Sequence, residues 1–142
     1  MNQCAPASIS MGHPVDFHKI HVRLCESCHL CGVALVIQFG EQTYRLVHAT
    51  PAYLYETCNY KDWDEQTFFV WYRVDHRDKL REDEVLVFGY TPTFRFDYEL
   101  PVHIRHGQNR IGIDCGCGHG TGCRLGCLHL DDMAEFYTEV VL

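Results

Sequence analysis

Apolar and polar positions change in short bursts along this chain, and nowhere do they settle into the 3.6-residue period of a long amphipathic helix. The strongest burst is Val85 to Phe88, four apolar residues rich in β-formers, which reads as a strand buried on both faces. It stops at Gly89, and Pro92 bars continuation of the ladder. A buried strand feeding a loop punctuated by glycine and proline is a common way to hold polar side chains rigidly. Upstream, Val33 to Phe39 and Thr43 to Val47 flank Gly40-Glu41-Gln42 and read as a hairpin whose second strand delivers His48.

Phe68 to Val74 is an aromatic segment that fits either a strand or a short helix. Leu100 to Ile104, Arg110 to Asp114, Arg124 to Leu130 and Phe136 to Leu142 are further strand candidates, with Asp131-Asp132 as a turn between the last two. Val15 to Leu24 alternates only partially. Residues 51 to 66 read as a loop rich in tyrosine and acid, and Asp75 to Glu84 as a charged, solvated connection. Residues 1 to 14, small and polar with two prolines, read as poorly ordered. The pattern therefore predicts a mostly-β chain of about seven short strands with at most one or two short helices.

Composition changes this picture little. A chain of 142 residues suits one domain, and 46% hydrophobic with 22% charged residues is ordinary for a globular protein. The formal charge of −7 argues against a nucleic-acid surface, and ten histidines make that charge adjustable below about pH 6.5. No apolar run approaches the roughly 20 residues of a membrane span. The segment Met1 to Pro14 has neither a basic start nor an apolar core, so no signal peptide is expected. The nine cysteines are then expected to be reduced thiols or metal ligands in a cytoplasmic protein.

Two clusters hold most of these cysteines. Cys25-x2-Cys28-x2-Cys31 offers two or three thiolates to zinc, with His29 beside them. Cys115, Cys117, Cys123 and Cys127 lie in a glycine-rich stretch and are too distant in sequence to pair with the first cluster as a zinc ribbon. Free, partly buried thiols are the other reading. The glycine-rich run from Gly107 to Gly126 lacks the Gly-Lys-Ser/Thr ending of a P-loop, and no Gly-x-Ser-x-Gly elbow occurs.

Several segments resemble, in order, the C-terminal half of calcineurin-like metallophosphoesterases, the class that includes serine/threonine protein phosphatases. Tyr44-Arg-Leu-Val-His48-Ala49 is similar to the strand that ends in a metal-binding histidine, and Trp71-Tyr72-Arg73 to a Trp-x-Arg segment that follows. Val87-Phe88-Gly89-Tyr90-Thr91-Pro92-Thr93 resembles the Gly-His-Thr-Pro loop, with Tyr90 at the histidine position. Arg110 to Gly116, Gly122 to Leu128, and Leu130-Asp131-Asp132 with Glu135-Phe136-Tyr137 resemble the closing strands. The likeness spans residues 33–142 and leaves residues 1–32 as a poorly matched segment with its cysteine cluster.

The resemblance implies an α/β fold, namely the second-sheet half of the metallophosphoesterase sandwich, mostly β in this chain. It implies phosphoester hydrolysis with two divalent metal ions (manganese, iron or zinc), with His48 as a ligand, Tyr90 at a second ligand position and Arg73 meeting the phosphate of a phosphorylated substrate. The family's Asp-x-His, Gly-Asp-x-x-Asp-Arg-Gly and Gly-Asn-His-Glu motifs do not occur. Asp16-Phe17-His18 matches the first only in letters. The chain alone is therefore expected to be inactive, with an exposed apolar sheet face awaiting a complementing N-terminal half or a second copy. From the residues alone, His48 also reads as a strand-end histidine satisfied by the backbone, and Arg73 as a stem lying over Trp71 or Tyr72. A non-catalytic interaction module and a small zinc-binding structural domain on Cys25, Cys28 and Cys31 remain the alternatives.

Overall fold

A computed structural model describes residues 21–24, 34–57 and 62–140, and shows a mixed α/β fold dominated by strands. The expectations placed on residues 1–20 and on Cys25, Cys28, His29 and Cys31, Asp16-Phe17-His18 included, lie outside the described residues.

The predicted hairpin is present as β2 (Leu35–Phe39) and β3 (Gln42–Val47), joined at Gly40, whose φ of +58° only a glycine adopts freely. β1 (His21–Leu24) pairs antiparallel with β2. The apolar burst is β4 (Val85–Phe88), which lies parallel to β3 with Val47 opposite Phe88. β5 (Arg105–Gly107) and β6 (Arg110–Gly112) form a short hairpin, and β6 runs parallel to β4. The resulting six-stranded sheet has the order β1-β2-β3-β4-β6-β5. A separate two-stranded sheet comprises β7 (Gly126–Leu128) and β8 (Glu135–Tyr137).

Parallel β3 and β4 need a crossover, and here the sequence reading is corrected. Residues 51–66 are not all loop: they hold α1 (Ala52–Thr57) and the start of α2 (Glu65–Trp71). Each helix runs for under two turns, too short for a period to show in the sequence. Local chemistry marks their starts instead. Pro51 directly precedes α1, and Asp64 caps α2 by accepting from the Thr67 N–H at 2.8 Å. Phe68 to Val74 is thus mostly helix.

Register places the two core clusters on opposite faces. Val47, Leu86 and Phe88 meet Leu54, Phe68, Tyr72 and Val74 on the helix face. Tyr44, Val87 and Ile111 meet Val102, Ile104, Cys115 and Cys123 on the other, with Leu128, Leu130 and Tyr137 packed behind. Val102 and Ile104 belong to an irregular segment, so the Leu100 to Ile104 strand is absent; their burial, not a ladder, accounts for the apolar pattern.

Two further expectations change. Glu84, read as part of a solvated connection, is 4% exposed and accepts from Arg45 Nε with both carboxylate oxygens at 2.8 and 2.9 Å. The rest of that connection folds around Asp78, which accepts from Tyr72 Oη at 2.6 Å and from the Asp75 N–H at 2.8 Å. The central sheet carries an apolar cluster on both faces. Exposed large apolar residues are scattered, Trp71, Tyr98 and Leu100 among them, and two of them, Leu125 and Phe136, stand at the small sheet beside the exposed Cys127. Among the described residues no helix is long and apolar enough to cross a membrane.

Candidate functional site

β3 and β4 end side by side, and each runs into a loop closed by Thr-Pro: His48-Ala49-Thr50-Pro51 after β3, Gly89-Tyr90-Thr91-Pro92 after β4. The two loops are tied by the Gly89 N–H, which donates to the His48 carbonyl at 2.9 Å. A Cβ on Gly89 would stand 3.3 Å from that carbonyl, so the close approach favours glycine. One residue on, Thr91 N–H donates back to the Gly89 carbonyl at 2.6 Å, and Tyr90 at the apex has φ of +60°. A bulky residue in this left-handed, three-residue turn stores local strain, of about 1–3 kcal/mol.

That turn presents the Tyr90 ring to its neighbours. The His48 ring centroid lies 5.4 Å from it and the exposed Trp71 ring meets it edge-on at 5.8 Å. The Arg73 guanidinium sits 4.3 Å from the ring centroid and donates from Nη1 to the Tyr90 carbonyl at 3.0 Å. His48, Arg73 and Tyr90, named from separate stretches of sequence, therefore converge on one spot. It is thus the Arg73 guanidinium that lies over an aromatic ring, and that ring is Tyr90 instead of Trp71 or Tyr72. His48 contributes its backbone carbonyl to the loop tie while its side chain is exposed.

Beneath these loops the Thr50 and Thr91 hydroxyls are buried, and neither has a hydrogen-bond partner among the described residues. A buried, unpaired hydroxyl costs about 1–3 kcal/mol, so two of them under one loop pair mark a place where packing alone does not account for the residues.

Thr91 and Arg73 also belong to the wall of a cleft of about 870 Å³ on the helix face of the sheet. The helices cover β3 and β4 but not β6 and β5. The cleft lies over the uncovered strands, with the buried Phe88 and Gly112 at its floor. Arg95, Arg105 and Arg110 stand around it. Sequence reading missed these three, whose scattered positions carry no motif; only the sheet register brings them together.

A pair of divalent metals about 3.5–4 Å apart needs a bridging carboxylate and several further ligands. Around His48 the described residues offer one imidazole and the Tyr90 phenol. Among the described residues, the one group of three His, Cys or carboxylate ligand atoms within reach of each other is His129, Asp131 and Asp132, in the exposed turn before β8. The described residues thus do not by themselves supply the ligands of a metal pair at His48. In that turn His129 Nδ1 lies 2.9 Å from Asp132, and the Ala134 N–H followed by His129 holds the Asp132 carboxyl below the usual range.

The four described cysteines are free. Burial pushes the Cys115 thiol up to about 11, so it is a neutral core group and not a nucleophile at neutral pH. The chain was compared with protein-family models, curated proteins and solved structures, and none of the three comparisons found a match.

Proposed function

We propose that this chain is a phosphoester-recognising protein of the calcineurin-like metallophosphoesterase type, reduced to the second-sheet half of that sandwich and unable to hydrolyse its ligand alone. The observation that supports this reading is the meeting of His48, Arg73 and Tyr90 at the C-terminal ends of two adjacent parallel strands. Open α/β sheets present ligands at that end. Arg73 keeps guanidinium donors beyond the one given to Tyr90 and supplies a fixed positive charge for a phosphoryl group. His48, exposed at the strand end, adds a second polar contact. Trp71 offers a ring face to an aryl ester beside it.

Hydrolysis with manganese, iron or zinc would require carboxylate and imidazole ligands from a complementing N-terminal half or a second copy. The exposed Leu125 and Phe136 favour a second reading, an interaction module that docks such a partner. Free thiols at all four described cysteines suit the reducing cytoplasm.

The test is a titration of phenyl phosphate, followed by Trp71 fluorescence in a Trp63→Phe background. Saturable binding, weakened about tenfold by Arg73→Ala and by His48→Ala, is expected. Binding that neither substitution changes would overturn the reading. With manganese or zinc added, the chain alone should not turn over p-nitrophenyl phosphate; turnover would mean that the ligand set is complete after all.

A further inference from the structure

The chain carries a formal charge of −7, yet the cleft over β6 and β5 gathers four guanidinium groups. Their partners differ. Arg105 forms an ion pair with Asp97 and is neutralised there. Arg110 donates to the Asp75 and Asp78 carbonyls, which occupies its hydrogens but leaves its charge uncompensated. Arg73 is engaged by a carbonyl and a ring, which likewise leave its charge intact. Arg95 has no side-chain hydrogen bond or ion pair among the described residues.

The opposing charges are few. Of the two carboxylates in the wall, Asp75 pairs with Arg77 at 2.8 Å, leaving Glu82. His106 contributes only backbone, because alternate residues of β5 face opposite sides and its ring pairs with Glu135 at 2.6 Å. His76 adds a neutral or positive ring. Three uncompensated cations against one carboxylate make a site for anions. The Thr91 hydroxyl, 3% exposed and without a partner, is a polar group in the same wall awaiting one.

Size and apolar lining narrow the ligand. A volume of about 870 Å³ is that of a small-molecule site and far exceeds one phosphate ion. Leu80 and Phe96, both half-buried, line part of it over the fully buried Val74 and Phe88, so the occupant carries an apolar or ring-bearing body besides its charge. We propose that this cleft is a binding site for an organic diphosphate or longer oligophosphate, its phosphoryl groups set among Arg73, Arg95 and Arg110 and its body lying on Leu80 and Phe96.

This goes beyond the site at the strand ends, since His48 and Tyr90 lie outside the cleft and only Arg73 and the buried Thr91 are common to both. The probes are ADP, pyrophosphate and orthophosphate, titrated calorimetrically into the full chain at two salt concentrations. The expected order is ADP tightest, pyrophosphate next and orthophosphate at least tenfold weaker than ADP. Arg95→Ala, an exposed change that breaks no contact, should weaken ADP about tenfold. Lys79→Ala, which removes a cation outside the wall, should leave it unchanged.

His48→Ala separates the two sites: it should weaken phenyl phosphate and spare ADP. No saturable ADP binding, orthophosphate as tight as ADP, or equal loss in the Arg95 and Lys79 variants would each overturn the proposal.

Discussion

On one face of the central sheet two short helices close over the strands. Rings meet there as neighbours, Phe68 stacked on Tyr72 at 4.5 Å between centroids and tilted against Tyr55 at 5.2 Å. The opposite face has no helix. Its cover comes from residues 102–104 and 113–137, irregular chain apart from the small β7–β8 sheet, held by scattered polar ties. The Ile104 N–H donates to Tyr137 Oη at 3.0 Å, Arg124 Nε donates to the Val102 carbonyl at 2.6 Å, and the Arg124 guanidinium lies 3.6 Å above the Tyr137 ring. Burial, followed by the hydrogen bond to Glu135, pushes the Tyr137 phenol up to about 12, so this tie stays protonated at any ordinary pH.

A helix satisfies its own backbone and can cover a sheet with apolar side chains alone. Irregular chain must find a partner for each buried polar group separately, and it bends only where the residues allow. The first kind of cover depends on ring packing, the second on specific hydrogen bonds and glycines.

The largest effect should come from the helix face. Phe68→Ala empties the centre of the ring cluster and should cost about 3–5 kcal/mol, whereas Ile104→Ala on the other face should cost about 2–5 kcal/mol and fall below it. Urea denaturation of both variants checks the order; an Ile104 variant less stable than the Phe68 variant would break the comparison. Next comes a glycine of the irregular cover. Gly116 has φ of +72°, and a Cβ there would stand 2.9 Å from the Phe94 ring and 3.1 Å from Cys123 Sγ. Gly116→Ala should cost about 1–3 kcal/mol. Gly40→Ala, equally left-handed but open to solvent, should cost less in the same measurement.

The smallest effect concerns the cap of α2. Hydrogen bonds from Thr67 hold the Asp64 carboxyl below its ordinary 3.8. Its contribution to stability is therefore complete above that value and fades as pH falls through the lower folded pKa. Asp64→Asn keeps a capping oxygen but cannot titrate, so the acid limb of a stability–pH curve should become shallower. An unchanged limb would remove the helix cap from the acid response.

Legibility in the sequence follows the same division. β2, β3 and β4 were readable because alternation and an apolar run are signals of period two or less, and Gly40 and Gly89 mark their ends. α1 was not, and α2 was left open between strand and short helix, since six or seven residues cannot display a helical period. The cover from Val102 to Tyr137 was readable only as apolar positions, and Val102 and Ile104 resembled a strand because burial, not pairing, selected them. At the candidate site, His48, Tyr90 and Arg73 could be singled out one by one in the sequence, but not their meeting at Tyr90. Arg95, Arg105 and Arg110 were illegible, because their proximity is a product of β4, β6 and β5 lying side by side.

The far edge of the sheet has a bearing on how copies of this chain meet. β5 is three residues long and carries Arg105 and His106, both engaged with acidic partners on opposite faces. A short, charged border of this kind gives an incoming strand little to pair with and nothing apolar to cover. Growth of the sheet into a ribbon of repeated molecules is thus discouraged at β5, and assembly through that border would first have to displace Asp97 and Glu135 from their ion pairs.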